Sequence, residues 1–278
     1  MKNYKIVADS SADMFTLGSF PFDVAPLKII TDQKEFTDTQ NLNLKEMVDF
    51  LASYKGKSSS SCPNPEDWLE TFGDSENIFC VAITGTLSGS YNSALIAKNI
   101  YGEKHPDRKV FVINSLSAGP ELRLIIEKLK ELILAENSFD EICEKITEYM
   151  NHTGLLFMLE SMKNLANNGR VSHLIAKAAG LLGIRVVGKA SNKGDLQPLN
   201  KCKGQEKALS CIVDKIKEAG CRNGKIHIAH CFNPTAAEKL KKKLYIELPH
   251  AKVEIYNCAG LCSFYAEKGG LLVGFEKF

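Results

Sequence analysis

Four short polar stretches carry the side chains best suited to chemistry, and each falls where an apolar run gives way to a helix-forming pattern. They are Asp9-Ser10-Ser11-Ala12-Asp13, Lys57-Ser58-Ser59-Ser60-Ser61-Cys62-Pro63, Thr84 to Ser93, and Asn167-Asn168-Gly169-Arg170-Val171-Ser172. Strand ends and helix starts are where α/β folds bind ligands. Each stretch also has a plainer reading, because Ser, Asp and Asn ahead of a helix act as caps. The third stretch stands apart. Gly85, Gly89 and several hydroxyls leading into a helix offer free backbone N–H groups, the positive end of a dipole and side-chain donors together. That combination suits an anion, phosphate or carboxylate, without choosing between them. In the fourth, Arg170 stands between an Asn-Gly turn and the Ser172 cap of an apolar helix (Leu174, Ile175, Ala178, Leu181). Two readings are open for it, an inter-domain surface or a solvated turn.

Other chemistries are poorly served. Ser88 sits in Gly85-Thr86-Leu87-Ser88-Gly89, which lacks G-x-S-x-G spacing, and the Walker and G-x-G-x-x-G patterns are absent. His227 and His230 are three apart on a predicted strand, so they point to opposite faces and cannot chelate one ion. The nine cysteines are scattered and form no C-x-x-C. They read as small buried hydrophobes, and no metal or other cofactor is expected. Lys plus Arg number 35 against 33 Asp plus Glu, a net charge of +2 that makes no case for nucleic acid. With 44% hydrophobic and 24% charged residues the 278-residue chain is globular rather than disordered. It shows no signal-peptide pattern and no apolar run of about 18 residues, so a cytoplasmic protein without an integral membrane segment is expected.

The elements that would position these residues are legible from periodicity. Strands are predicted at Lys5–Ala8, Ile78–Ile83 and Lys109–Ile113, separated by helices at Leu44–Ala52, from Asn64, at Ser88–Ile100, Pro120–Ala135 and from Ser138 to about Met150. Strands alternating with helices imply a parallel sheet with right-handed crossovers. After Gly154 strands become more frequent: Leu155–Leu159, Ile184–Lys189, Asp195–Asn200, Lys225–His230, Val253–Tyr256 and Leu271–Phe275. Helices at Ser172–Leu182, Gly204–Ala219 and Pro234–Tyr245 intervene, and Asn192-Lys193-Gly194-Asp195 is a hairpin turn. The expected fold is α/β in two domains: a parallel-sheet, Rossmann-like domain over residues 1–150 and an α+β domain with some antiparallel pairing over 151–278. Part of 20–60, including the strand and turn at Pro26–Thr37, is expected to pack with the second domain.

Taken in order, the motifs resemble the DegV family of bacterial lipid-binding proteins. The resemblance runs through Asp9-Ser10 and Asp13, Pro26-Leu27, Ser60-Ser61-Cys62-Pro63-Asn64-Pro65, Leu87 to Ala94, Asn168 to Ser172, Ile184-Arg185-Val186-Val187, Lys201–Ala208 and Gly269–Phe275. It spans essentially the whole chain. It implies two domains enclosing a tunnel for one long-chain fatty acid, the carboxylate met by Ser60, Ser61 and Ser88 with Gly89. Asp9, Ser10, Arg170 and Tyr265 are implied near the head group or a partner-docking surface. Members present the acid to a separate dihydroxyacetone-kinase-like subunit of fatty acid kinase, which makes the acyl-phosphate; the chain itself would be a non-catalytic carrier. Transient membrane contact is left open.

The chain departs from the family pattern at three places. Tyr265 stands where the family has His, which removes a cation near neutral pH. Asn114 beside Ser115 replaces an Asp, and Ser60 replaces a Thr while keeping the hydroxyl. Two rivals stand beside this reading: a protein or enzyme for a small phosphorylated metabolite using the 84–93 loop, and a regulatory interaction protein whose lipid is structural. The physics favours the lipid. A sixteen-carbon chain leaving water contributes about 12 kcal/mol gross at about 0.8 per methylene, much of it lost to ordering. Hydroxyl donors would fix the carboxylate, which is costly to bury unpaired.

Overall fold

The computed structural model describes residues 3–179 and 183–278. The first elements are β1 (Tyr4–Asp9), β2 (Phe22–Ala25), β3 (Lys28–Ile30), β4 (Glu35–Thr37), α1 (Leu44–Ser53), β5 (Ser59–Ser61), α2 (Pro65–Phe72) and β6 (Asn77–Ala82). Next come α3 (Ser90–Lys104), β7 (Lys109–Asn114), α4 (Pro120–Leu134), α5 (Phe139–Asn151), β8 (Thr153–Leu159), α6 (Lys163–Asn167) and α7 (His173–Ala179). The last are β9 (Ile184–Ala190), β10 (Leu196–Lys203), α8 (Gln205–Glu218), β11 (Lys225–His230), α9 (Pro234–Glu247), β12 (Lys252–Asn257), α10 (Gly260–Ala266) and β13 (Leu271–Glu276).

The strands form three sheets. The first, in order β2-β1-β6-β7, is parallel throughout. Parallel strands covered on both faces need the near-continuous apolar runs found in β1 and β6. Trp68 and Phe72 of α2 with Ala94, Ala97 and Tyr101 of α3 fill one face, and α4 with α5 fills the other. The second sheet runs β10-β9-β8-β13-β11-β12, and only β11 with β12 is parallel. Leu209, Ile212 and Ile216 of α8 and Leu240 and Leu244 of α9 pack on its outer side. The third sheet, β4-β3-β5, is antiparallel; its Ile29 and Phe36 meet Met47 of α1 and Phe264 of α10. The mixed α/β fold inferred from the sequence is therefore the one observed.

The strong apolar period of α4 has a double cause, because the helix packs on β1 and β6 of the first sheet and on β8, β11 and β13 of the second. Its first turn meets Gly274 of β13 so closely that a Cβ there would lie 2.6 Å from the backbone N of Glu121 and the carbonyl carbon of Pro120. Backbone cannot step aside as a side chain can. Gly274→Ala is expected to cost about 3 kcal/mol through this overpacking and to lower the melting temperature by roughly 6–12 °C. A wild-type melting curve would contradict the close approach.

The structure adds elements where periodicity was silent. Three serines, Ser59–Ser61, form β5 by pairing with β3, although nothing in their side chains favours a strand. The helix predicted from Ser88 starts at Ser90 with Gly89 as its N-cap, so Ser88 lies outside it. α10 went unpredicted because its N-terminus is held by distant carboxylates: Ala259 N–H donates to Asp13 Oδ1 at 2.8 Å, Gly260 N–H to Asp38 Oδ1 at 2.7 Å and Leu261 N–H to Asp38 Oδ2 at 2.8 Å. Of the helix predicted over 172–182, α7 reaches Ala179, and 180–182 lie outside the described residues.

Candidate functional site

A largely apolar cavity, partly open to solvent, lies among the three sheets. Its wall is mostly aliphatic: Ile83 and Leu87 from the first half, Leu155, Phe157 and Leu159 of β8, Leu165 of α6, Leu196 of β10, Leu261 of α10 and Leu272 of β13. Four polar side chains join them: Ser60, Ser88, Arg170 and Tyr265.

Short contacts link Ser60, Tyr265 and Arg170, and Arg170 also reaches the residue before Ser88, whose own hydroxyl accepts from Ser90 N–H at 3.3 Å. Ser60 Oγ and the Tyr265 hydroxyl lie 2.7 Å apart. The Arg170 guanidinium carbon sits 5.8 Å from the centre of the Tyr265 ring, a cation–π distance. Arg170 Nε donates to the carbonyl of Leu87 at 3.1 Å, beside Ser88, and Nη1 donates to the carbonyl of Asn168. These bonds go to carbonyls, so the positive charge is held in place without being neutralised. Arg170 is the one charged side chain lining the cavity among the described residues. Burial pushes the Tyr265 hydroxyl above its ordinary pKa, against the pull of Ser60 and the Arg170 charge, so the phenol is neutral at physiological pH.

Two asparagines tie these parts together: Asn168 of the fourth polar stretch, and Asn164, which the sequence reading did not single out. Asn168 Nδ2 donates to the carbonyls of Ser58 at 3.2 Å and Asn164 at 2.9 Å, and Asn164 Nδ2 donates to the carbonyl of Phe264 at 2.8 Å. The Arg170 turn is thus bound to Ser58, the residue before β5, and through Asn164 to α10. A four-residue Asn-x-x-x-Asn spacing, one helical turn, was the available signal.

The other sequence candidates lie elsewhere. Ser60 and Ser61 were expected together in a loop; because they sit on a strand, the pleat sends them to opposite faces, and only Ser60 lines the cavity. Gly89 caps α3, and a Cβ there would approach Cys62 Sγ to 3.2 Å. Asp9 is fully buried; its oxygens accept from Ser11 N–H and hydroxyl, Ile83 N–H at 2.9 Å and the Ser90 hydroxyl at 2.6 Å. Ser10 is equally buried and accepts from Leu27 N–H at 3.0 Å. Both residues face the protein rather than a head group or a partner. The Thr84–Ser93 loop also spends its donors internally. Thr84 and Thr86 hydroxyls pair at 2.9 Å, Gly85 N–H goes to Asn114 Oδ1 at 3.1 Å, and the β9–β10 hairpin rests on Thr84 at Gly194. Those contacts disfavour a phosphate cradle there.

Two charged clusters lie outside the cavity. His227, buried on β11, has Nε2 3.3 Å from Glu127 Oε2 and Nδ1 3.9 Å from Glu254 Oε2, a meeting that strand spacing alone cannot show. Arg123 and Lys225 already engage these carboxylates, which makes the cluster an ion-pair network joining α4 to the second sheet. Burial raises Glu127, but the His227 hydrogen bond and the charges of His227, Lys225 and Arg123 outweigh it and hold the carboxyl at about 2. The second cluster surrounds Asp13, which burial pushes up to about 8 and whose Oδ2 has no hydrogen-bond partner. The folded protein therefore keeps this proton up to about pH 8, whereas the unfolded chain releases it near 3.8. Folding takes up a proton between those values, and stability falls as pH rises through the window, by up to about 1.4 kcal/mol per unit. Asp13→Asn keeps an acceptor for Ala259 and cannot ionise. It should flatten the fall in melting temperature between pH 6 and 8 by about 4–6 °C; parallel profiles for the two proteins would contradict the buried acid.

Comparison with known proteins extends over the whole chain. A family model described as "Uncharacterised protein, DegV family" matches residues 3–277. A DegV domain-containing protein of Streptococcus pneumoniae is 44% identical over 277 residues, covering 98% of this chain and 99% of the relative. Among solved structures, the S. pneumoniae Fatty Acid Kinase (Fak) B3 protein loaded with linoleic acid superposes with a TM-score of 0.97 at 44% identity, covering 100% of both chains. A DegV family protein of Eubacterium eligens loaded with heptadecanoic acid gives 0.97 at 42% identity, covering 99% of this chain and 100% of that one.

Proposed function

The chain belongs to the DegV family, and from that premise we propose that its cavity holds one long-chain fatty acid and presents the carboxylate to a separate kinase subunit. The observation that carries the reading is the one-sided polarity of the cavity: an aliphatic wall with Ser60, Ser88, Arg170 and Tyr265 clustered in one region. The apolar wall supplies affinity by removing methylenes from water, and the hydroxyls and guanidinium fix the charged end. The similarity to fatty-acid-loaded proteins at 42–44% identity supports the same ligand class.

The chain acts as a carrier without catalysis of its own. Among the described residues no activated nucleophile stands at the polar end: Tyr265 is a neutral phenol, Ser60 is paired with it rather than with a base, and Ser88 Oγ meets the Ser90 N–H. Phosphoryl transfer falls to a dihydroxyacetone-kinase-like partner in the cytoplasm. No helix among the described residues is long and apolar enough to cross a membrane. The test is reconstitution: with a cognate kinase subunit, ATP and fatty acid, this protein should support acyl-phosphate formation and show none without the kinase. Fatty acid bound but never phosphorylated with any kinase subunit would leave the lipid structural.

A further inference from the structure

We propose that Asp38 is a positioning residue for the head-group hydroxyls, anchoring the start of α10 to the small sheet and so setting where Tyr265 and Ser60 stand. This rests on the reading of the cavity as the fatty-acid site. α10 has seven residues and no side-chain N-cap of its own, yet it supplies Leu261, Cys262, Tyr265 and Ala266 to the cavity wall. Its position must come from outside. Asp38, 1% exposed, gives one carboxylate oxygen to Gly260 N–H and the other to Leu261 N–H. The approach needs a glycine, since a Cβ on residue 260 would lie 2.7 Å from Asp38 Oδ1.

The opposite end of α10 is attached to the same sheet. Asp38 follows β4, and its N–H donates to the Leu27 carbonyl at 2.9 Å; β4 pairs with β3, and β3 pairs with β5 at Ile29–Ser60. Ser60 then meets Tyr265, one helical turn beyond Leu261, at 2.7 Å. The path from Asp38 through α10 to Tyr265, Ser60, β5, β3 and β4 closes on itself. A helix held at both ends against one sheet can neither slide nor rotate independently of it, and that fixes the hydroxyls before ligand arrives. Both Asp38 oxygens are used, so an amide, with one acceptor and one donor, cannot replace the carboxylate.

The test is a double-mutant cycle on the full chain, measured as fatty-acid dissociation constants. Asp38→Asn should weaken binding about 10-fold, and Tyr265→Phe should weaken it in the wild-type background but by less than about 2-fold in Asp38→Asn. Effects that multiply independently would overturn the proposal and leave Asp38 a structural residue. If Asp38→Asn does not fold, Gly260→Ala disturbs the same contact and should show the same coupling. A second readout separates this claim from the ligand assignment. In ligand-free protein carrying ¹³C-labelled tyrosine, the Tyr265 resonance, identified by its loss in Tyr265→Phe, should shift in both Ser60→Ala and Asp38→Asn. A shift with no fatty-acid binding would sink the ligand reading alone; an unmoved resonance in Asp38→Asn would sink the anchor.

Discussion

Ser60→Ala combined with Ser88→Ala is expected to weaken fatty-acid retention at least about 100-fold while leaving the fold intact. Each hydroxyl reaches the cavity from a different element, Ser60 from β5 and Ser88 from the residue before the cap of α3. A hydrogen bond to a charged group contributes about 1.5–3 kcal/mol, so losing two costs about 3 kcal/mol or more. Neither change opens a cavity, because only a hydroxyl is removed. A fatty alcohol of the same length should lose far less, since its head carries no charge to strengthen the bonds. Equal losses for acid and alcohol would show that the two serines shape the wall rather than hold the carboxylate.

Arg170→Met should separate binding from turnover. Arg170 lies at cation–π distance from Tyr265 and is pinned by two carbonyls, so its charge is already in position when the arriving phosphoryl group adds negative charge at the ligand head. Removing one such preorganised donor costs about 10²–10³ in rate. Ground-state binding should fall by about 10-fold or less, because the serine hydroxyls and the apolar wall remain. Among the described residues Arg170 is the one charged side chain lining the cavity and Tyr265 beside it is neutral, so no second lining cation dilutes the effect. A fall in turnover matched by an equal fall in affinity would make Arg170 a binding residue only.

The parts of this site that were legible in the sequence are those whose function depends on residue type. The hydroxyls leading into the helix read from Ser88, Arg170 after an Asn-Gly turn and the strand-turn-helix order of the first sheet announce themselves through local chemistry. The parts that were not legible depend on pairing at a distance. β5 is a strand only because β3 lies beside it, and that pairing turns Ser61 away from the cavity. α10 starts at Gly260 because Asp38, 222 residues earlier, receives its N–H group. Asp9 looked like a site residue and is a buried acceptor, a role the sequence expresses with the same letters. The aliphatic wall had no signature at all, since Leu155 or Leu272 would look alike in a core and in a tunnel.

Native mass spectrometry of the protein purified without added lipid tests the central claim most directly. One equivalent of a long-chain fatty acid should ride with the folded chain, be removed by extraction and be restored by adding free acid. A chain that arrives empty and takes up no fatty acid after delipidation would contradict the account, whatever its fold.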